Sequence, residues 1–247
     1  MRDTPLNNFI SSIEHLDISE DIIIIHSRMI PFKIRSSDVK NICEELLQFL
    51  GKDKTIIMPA FTYSFSRKKS WNYHKSKSEA GVLTEFFRQN IAESRTIHPV
   101  HSVSIFNNKY NLTHQSDSSF GPGSIWEFLC KNNVCNLSIG VGLHGGGTIC
   151  HYPEEFNNVY YREFINLDGK VFDKNNELVK KKFKYFTRKR SLNIENSWNK
   201  CETDLIKNSI LNIKFYKNIP VCTMNTKKAS EFIIKKLLID KNYLLKN

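Results

Sequence analysis

Short apolar runs bounded by turn residues alternate, along the first two thirds of the chain, with segments whose apolar positions recur every three or four residues. The runs at 21–26 and 55–61 read as strands; four consecutive isoleucines, Ile22 to Ile25, leave no polar face and predict burial on both sides of a sheet. Residues 5–16 and 37–50 read as helices, the second with Val39, Ile42, Leu46 and Leu47 on one face and Gly51 as its stop. A further helix is predicted over 82–90, an extended segment over 103–106, a short helix over 124–130 after a Gly-Pro-Gly turn, and a strand over 134–141. This alternation predicts an α/β fold with a mostly parallel, helix-covered sheet. Ligands in such sheets gather at the carboxyl ends of strands, here beside the loops that begin at His26, Pro59 and Gly140.

Beyond Tyr161 the pattern changes. Residues 170–172, a Lys-Asn-Asn-Glu turn and residues 178–186 predict an antiparallel hairpin, and 199–207 and 226–238 predict helices, with Phe232, Ile233 and Leu237 facing the core. The reading is of an appended C-terminal antiparallel β-rich lobe. With no Gly/Ser-rich or Pro-rich linker, residues 1–247 are expected to form a single domain, an α/β core over 1–165 and a smaller basic lobe over 166–247 that share a cleft.

Composition refines this picture in three respects. An apolar fraction of 40% and an aromatic fraction of 12% describe a folded chain, not a disordered one. The net charge of +11 is unevenly placed: residues 1–168 carry 17 Lys/Arg against 18 Asp/Glu, and residues 169–247 carry 19 against 7. The densest cluster, Lys180 to Arg190, interleaves cations with aromatics. It fits a nucleic-acid contact, but fits better a strand with a solvated basic face and Phe183, Tyr185 or Phe186 packed inward, so no nucleic-acid partner is expected. Six cysteines, at 43, 130, 135, 150, 201 and 222, form no Cys-x-x-Cys pair, and the histidines have no metal-ligand spacing; buried free thiols and no metal are expected. The N-terminal residues lack a leader's apolar core, and the Ile22 to Ile25 run is too short to span a bilayer, which predicts a cytoplasmic protein with no membrane partner.

Candidate chemistry concentrates at Gly140 to Glu155, GVGLHGGGTICHYPEE. Thr148, His151 and Glu154 follow at three-residue steps after a glycine-rich turn. Pro153 suits the first turn of a helix, which would place His151 at its start with Glu154 folded back beside it. A histidine held by a carboxylate is an oriented general base. Spacing alone leaves a second reading open, in which Glu154 and Glu155 merely complement the helix dipole. Cys150 precedes His151, but adjacent residues diverge, so the two are not read as a nucleophile–base pair.

The order of motifs resembles the aminoglycoside 3-N-acetyltransferase family. The strand and His-Ser pair at Ile22 to Phe32 come first, then Met58, Pro59, Phe61 and Thr62. Gly81, Leu83, Glu85 and Arg88 follow, then Arg95, His98, Pro99 and Ser102. Gly121 to Ser124, the Thr148, His151 and Glu154 triplet, and Tyr160 to Arg162 complete the series. The chain departs from the family pattern at Arg28, in place of a second serine; at Gly147, in place of an asparagine; and around Asn107, where a glycine is usual.

The resemblance implies an acetyl-CoA-dependent N-acetyltransferase acting on an amine of an amino sugar, a small-molecule acceptor, without an acyl-enzyme. It implies His151 as base, Glu154 as its orienting carboxylate, and Thr148 or a backbone N–H of Gly145 to Gly147 as donor to the oxyanion. Ser27, Arg28, Arg95 and Ser102 are expected along acetyl-CoA, with a second reading open in which Arg28 is merely solvated and Arg95 pairs with a carboxylate to hold its loop. His98, before Pro99, is read as a structural imidazole. Because the C-terminal third is basic, an acceptor carrying phosphate, such as a nucleotide-linked amino sugar, is expected in preference to a polycationic aminoglycoside. A non-catalytic CoA-binding relative and a basic nucleic-acid-binding module are the alternative classes.

Overall fold

The computed structural model describes residues 4–246; the expectations for residues 1–3 and 247 lie outside them. In chain order the elements are α1 (Pro5–Ile13), β1 (Ile22–Ser27), α2 (Val39–Leu50), β2 (Thr55–Pro59), α3 (Phe65–Lys68), β3 (Ser70–Asn72), α4 (Val82–Asn90), β4 (Ser94–Arg95) and β5 (Val103–Phe106). The second half holds α5 (Ile125–Lys131), β6 (Val134–Ile139), α6 (Leu143–Gly146), α7 (His151–Phe156), β7 (Arg162–Leu167), β8 (Lys170–Phe172), β9 (Phe183–Arg188), α8 (Asn199–Lys207), β10 (Leu211–Tyr216), β11 (Ile219–Asn225) and α9 (Thr226–Ile239).

A seven-stranded sheet in the order β10-β11-β6-β1-β2-β5-β4 organises the molecule. Its centre, β6-β1-β2, is parallel, and the flanking strands join antiparallel. The isoleucine run explains the layering. Ile22 and Ile24 enter one core with Trp126 and Leu129 of α5 and Ile233 and Leu237 of α9. Ile23 and Ile25 enter the other with Phe9 and Ile13 of α1, Ile42 and Leu46 of α2, and Leu83 and Phe87 of α4. Alternate residues of a strand face opposite ways, so one apolar run fills both layers. Fully burying one such side chain contributes roughly 1.5–3 kcal/mol.

Two C-terminal features differ from the sequence expectation. The 173–177 turn forms, with Asp173 N donating to Glu177 O and a bridge between Phe172 and Leu178. The two flanks pair antiparallel only briefly, with Val179 N donating to Val171 O at 2.8 Å; β8 also lies parallel to β3, and residues 183–188 leave the hairpin as β9 to pair antiparallel with β7. The reason is burial, since Phe183 and Phe186 of β9 are taken into two cores that a local hairpin would leave open. The unforeseen strands β10 and β11 extend the main sheet at β6. They are joined by a turn in which Lys217 and Asn218 both have positive φ, a primed hairpin geometry without the glycine that usually signals it.

At the carboxyl end of β6, Gly140 N donates to Pro220 O and Gly140 has φ +75°. A Cβ there would lie 2.3 Å from the carbonyl oxygen of Arg28, the residue after β1. Only glycine fits between these strand ends. Gly140→Ala is expected to cost about 1–3 kcal/mol, combining positive φ with a backbone clash. Urea unfolding checks this, and an unchanged midpoint would contradict it.

Candidate active site

The chain leaves the Gly140 turn through α6 and a single 3-10 turn, Gly147–Cys150, so that α7 begins at His151. Pro153 stands in its first turn, where a missing N–H costs nothing. Nδ1 of His151 lies 2.5 Å from Oε2 of Glu154, one turn on. Because a carboxylate only accepts, Nδ1 carries the proton, and Nε2 is left with its lone pair for the cavity that the ring lines.

Glu154 is fully buried, and each of its oxygens is engaged. Oε1 accepts from Tyr161 Oη and from Asn196 Nδ2, each at 3.0 Å. Oε2 receives His151 and forms an ion pair with Arg162 Nε at 2.9 Å, without hydrogen-bond alignment. Burial opposes its ionisation, but His151 and then Arg162 outweigh that cost and hold the carboxyl at about 2. Burial lowers the His151 pKa from its ordinary 6.5, with Glu154 pulling it up and Arg162 pushing it down. Arg162 Nη2, 3.1 Å from Nδ1, cannot donate to a nitrogen that already bears hydrogen; it opposes ring protonation electrostatically. The result is a neutral imidazole beside a permanently charged carboxylate.

Glu154 stands in the first turn of α7, where it also complements the helix dipole, and both it and its neighbour have specific side-chain partners. Glu155 accepts from Ser118 Oγ at 2.6 and 2.7 Å and so ties α7 to the 116–121 loop. Cys150 is buried in the core, and all six cysteines are free and buried.

The cavity holds about 350 Å³. It lies at the carboxyl ends of the parallel strands, where His26, Ser27 and Pro59 reach it, and its far wall is Trp198. Ser27, Thr148 and His151 are thus brought together, with Gly145 beside them. Glu79 is the one Asp, Glu, Lys or Arg side chain among the described residues lining it. A second cavity of about 450 Å³, reached by Ser36, Gly81 and Phe86, shares Glu79 with it.

Three of the residues expected along acetyl-CoA do not line this cavity. Arg28, directly after β1, is exposed. Arg95 is buried with its guanidinium consumed by the protein: it donates to Ser102 Oγ at 3.1 Å, to the carbonyls of Tyr73, Ser76 and Ala60, and covers the Trp71 ring at 4.7 Å. Ser102 Oγ donates in turn to Ala60 O. Arg95 and Ser102 hold four chain segments together behind the cavity. His98 is structural, its Nδ1 accepting from the backbone of Val100 and His101. In the basic cluster Lys184 pairs with Asp117 at 3.0 Å, while Phe183 and Phe186 are buried. Asn196 and Trp198 carried no sequence signal, lying in no periodic segment and far along the chain from His151.

Comparison with known proteins adds to this geometry. The family model for aminoglycoside 3-N-acetyltransferase matches residues 24–237. The fold is similar to that of the YokD protein from Bacillus subtilis, at 14% identity over 97% of this chain and 95% of that one, with a TM-score of 0.73. It is also similar to the aminoglycoside acetyltransferases AAC(3)-IVa (15% identity, 98% and 91% covered, TM-score 0.75) and AAC(3)-IIb (14%, 95% and 97%, TM-score 0.76). No curated protein matches the chain in sequence. Among the described residues no helix is long and apolar enough to cross a membrane, and no group of three His, Cys, Asp or Glu side chains is placed to hold a metal ion.

Several histidines are buried and held neutral, and this makes stability depend on pH. His26 and His114 have their pKa lowered to about 4, chiefly by burial, against 6.5 when unfolded. His98 and His101 are lowered well below 6.5, again chiefly by burial. The unfolded chain takes up these protons first, so stability is complete above pH 6.5 and is lost as the pH falls toward 4. Each of His26 and His114 contributes on the order of 3 kcal/mol to that loss. Denaturant midpoints across this range should fall steadily with acid; a flat profile would contradict the assignment.

Proposed function

Because the chain belongs to the aminoglycoside 3-N-acetyltransferase family, we propose that it transfers an acetyl group from acetyl-CoA to an amine of an amino sugar, with His151 as the base. The observation that carries this reading is the His151 ring, held at Nδ1 by the buried Glu154 while the residue lines a cavity. The acceptor attacks as the neutral amine, its ammonium proton already lost to solvent because an ammonium has no lone pair, and its nitrogen must shed one further proton to end as an amide. Acetyl-CoA supplies the thioester carbonyl. His151 Nε2 accepts the proton as the acceptor nitrogen bonds to the carbonyl carbon and the C–S bond breaks, then returns it to the departing thiolate. Glu154 stabilises the transient imidazolium, and Arg162, Tyr161 and Asn196 keep Glu154 ionised and in place.

Thr148 is assigned as the donor to the oxyanion, and Ser27 as a contact along the acetyl-CoA arm; both line the cavity. Two adjoining cavities that share Glu79 suit a reaction with two substrates. For the acceptor, the local charge favours a cationic amino sugar. Glu79 lines the cavity and, among the described residues, no lysine or arginine does, so the described part of the basic C-terminal third supplies no phosphate contact there. Structural neighbours of this fold are complexes of AAC(3)-IVa with a gentamicin and of AAC-VIa with sisomicin.

Three outcomes test the proposal. His151→Ala should lower kcat by about 100-fold or more with the melting temperature retained; wild-type turnover in that variant would remove the base assignment. The wild-type kcat/KM, expressed per free-amine form of the acceptor, should rise with pH through a midpoint below 6.5, since burial holds His151 below its ordinary value, and level off above it. In a panel assay, gentamicin should be acetylated in preference to a nucleotide-linked amino sugar; the reverse order would overturn the acceptor reading.

A further inference from the structure

Resting on the acetyl-transfer reading, we propose that His144 is a specificity-determining residue that binds the acceptor amino sugar. His144 is exposed, sits on α6 and lines the same cavity as His151. An exposed imidazole ordinarily samples several rotamers, but this one is fixed from two sides. Its Nε2 is 2.6 Å from Asn199 Oδ1, and its ring stacks on Trp198 with centroids 6.0 Å apart and planes inclined by 19°. Trp198 in turn meets the His151 ring edge-on at 5.5 Å. One aromatic side chain therefore sets the relation between the base and His144.

The support beneath Trp198 includes Gly147. A Cβ there would lie 2.5 Å from Cζ3 of Trp198, so the tryptophan keeps this place because residue 147 is glycine. The start of α8 is clamped to the same loop by Glu202, whose Oε2 accepts from Leu143 N at 2.8 Å. These contacts preorganise an exposed ring that the core does not need.

The chemistry of that ring selects its ligand. An amide oxygen only accepts, so Nε2 of His144 carries hydrogen and Nδ1 has a free lone pair. Nδ1 therefore accepts from a ligand donor, a hydroxyl or ammonium, while the flat imidazole face packs against the C–H face of a sugar ring. A ring carrying both hydroxyl and ammonium groups satisfies both demands. Glu79, on the same lining, attracts a second ammonium. His144 takes no proton from the reacting amine in this scheme; its role is in binding, separate from that of His151.

Steady-state kinetics of wild type, His144→Ala and His144→Phe test this, with gentamicin, sisomicin and acetyl-CoA varied independently. In both variants the KM for the aminoglycoside should rise about tenfold, the loss of roughly one charge-assisted hydrogen bond. The Phe variant keeps a ring on Trp198 but no accepting nitrogen, so a raised KM there points to Nδ1. The KM for acetyl-CoA, kcat at saturating acceptor and the melting temperature should stay at wild-type values. An unchanged aminoglycoside KM, or a fall in kcat with both KM values unchanged, would overturn the inference. If wild type acetylates neither aminoglycoside, the acetyl-transfer reading for these acceptors fails by itself. Calorimetric titration of gentamicin into wild type and His144→Ala then decides the role of His144: about tenfold weaker binding by the variant supports it, and equal binding ends it.

Discussion

A single buried carboxylate sets the geometry of the site. Glu154 has no access to solvent, and an unpaired charge there would be strongly destabilising. Its four partners come from separate parts of the chain: His151 from the same helix, Tyr161 and Arg162 from the start of β7, and Asn196 from the segment before α8. Ionisation of Glu154 is thus tied to the docking of the C-terminal region on the α/β layers. Burial does most to keep the His151 ring neutral, and the Arg162 guanidinium adds to it against the pull of Glu154. His151 and then Arg162 keep Glu154 charged against its own burial.

The sheet provides the rigid frame for this arrangement. The parallel strands β6, β1 and β2 end together, and the close approach of Gly140 to the Arg28 carbonyl keeps β6 and β1 in register where the cavity opens. From that point a continuous path of short-range contacts leads to His151: the glycine turn, α6, the 3-10 turn and α7. Gly147 lies midway, and its missing side chain admits Trp198 from the other side of the cleft. Glycine thus serves two needs in one loop, a positive φ at 140 and ring contact at 147.

Much of this was legible in the sequence because it is local. Four consecutive isoleucines announce a doubly buried strand, and the three-residue steps of Thr148, His151 and Glu154 together with Pro153 predict a helix beginning at His151. What the sequence obscured depends on long-range pairing. The tight turn at 173–177 is real, but local turn chemistry cannot reveal that Phe183 and Phe186 are drawn to different cores, so β9 pairs with β7. Likewise Lys217 and Asn218 form a hairpin turn without the glycine that usually marks one, which hid β10 and β11. Asn196 and Trp198 belong to the site by packing alone. Arg95 and Ser102 illustrate the converse: a motif that matches a family pattern holds segments together here, its guanidinium spent on the carbonyls of Tyr73, Ser76 and Ala60.

Charge offers the same lesson in another form. The surplus of cations in the last third of the chain suggested an anionic acceptor, an inference that treats the field at the cleft as an average over the segment. Screening makes that average a poor guide, since exposed charges more than about 8–10 Å apart are largely decoupled at physiological salt. The groups at the cavity wall determine the field there, and those are Glu79 and the imidazoles of His26, His144 and His151, with no lysine or arginine among them. Part of the basic surplus is balanced locally, as Lys184 is by Asp117. A polycation therefore meets no lysine or arginine in the cavity lining, and the acceptor's charge is read from those few residues rather than from the composition of the lobe.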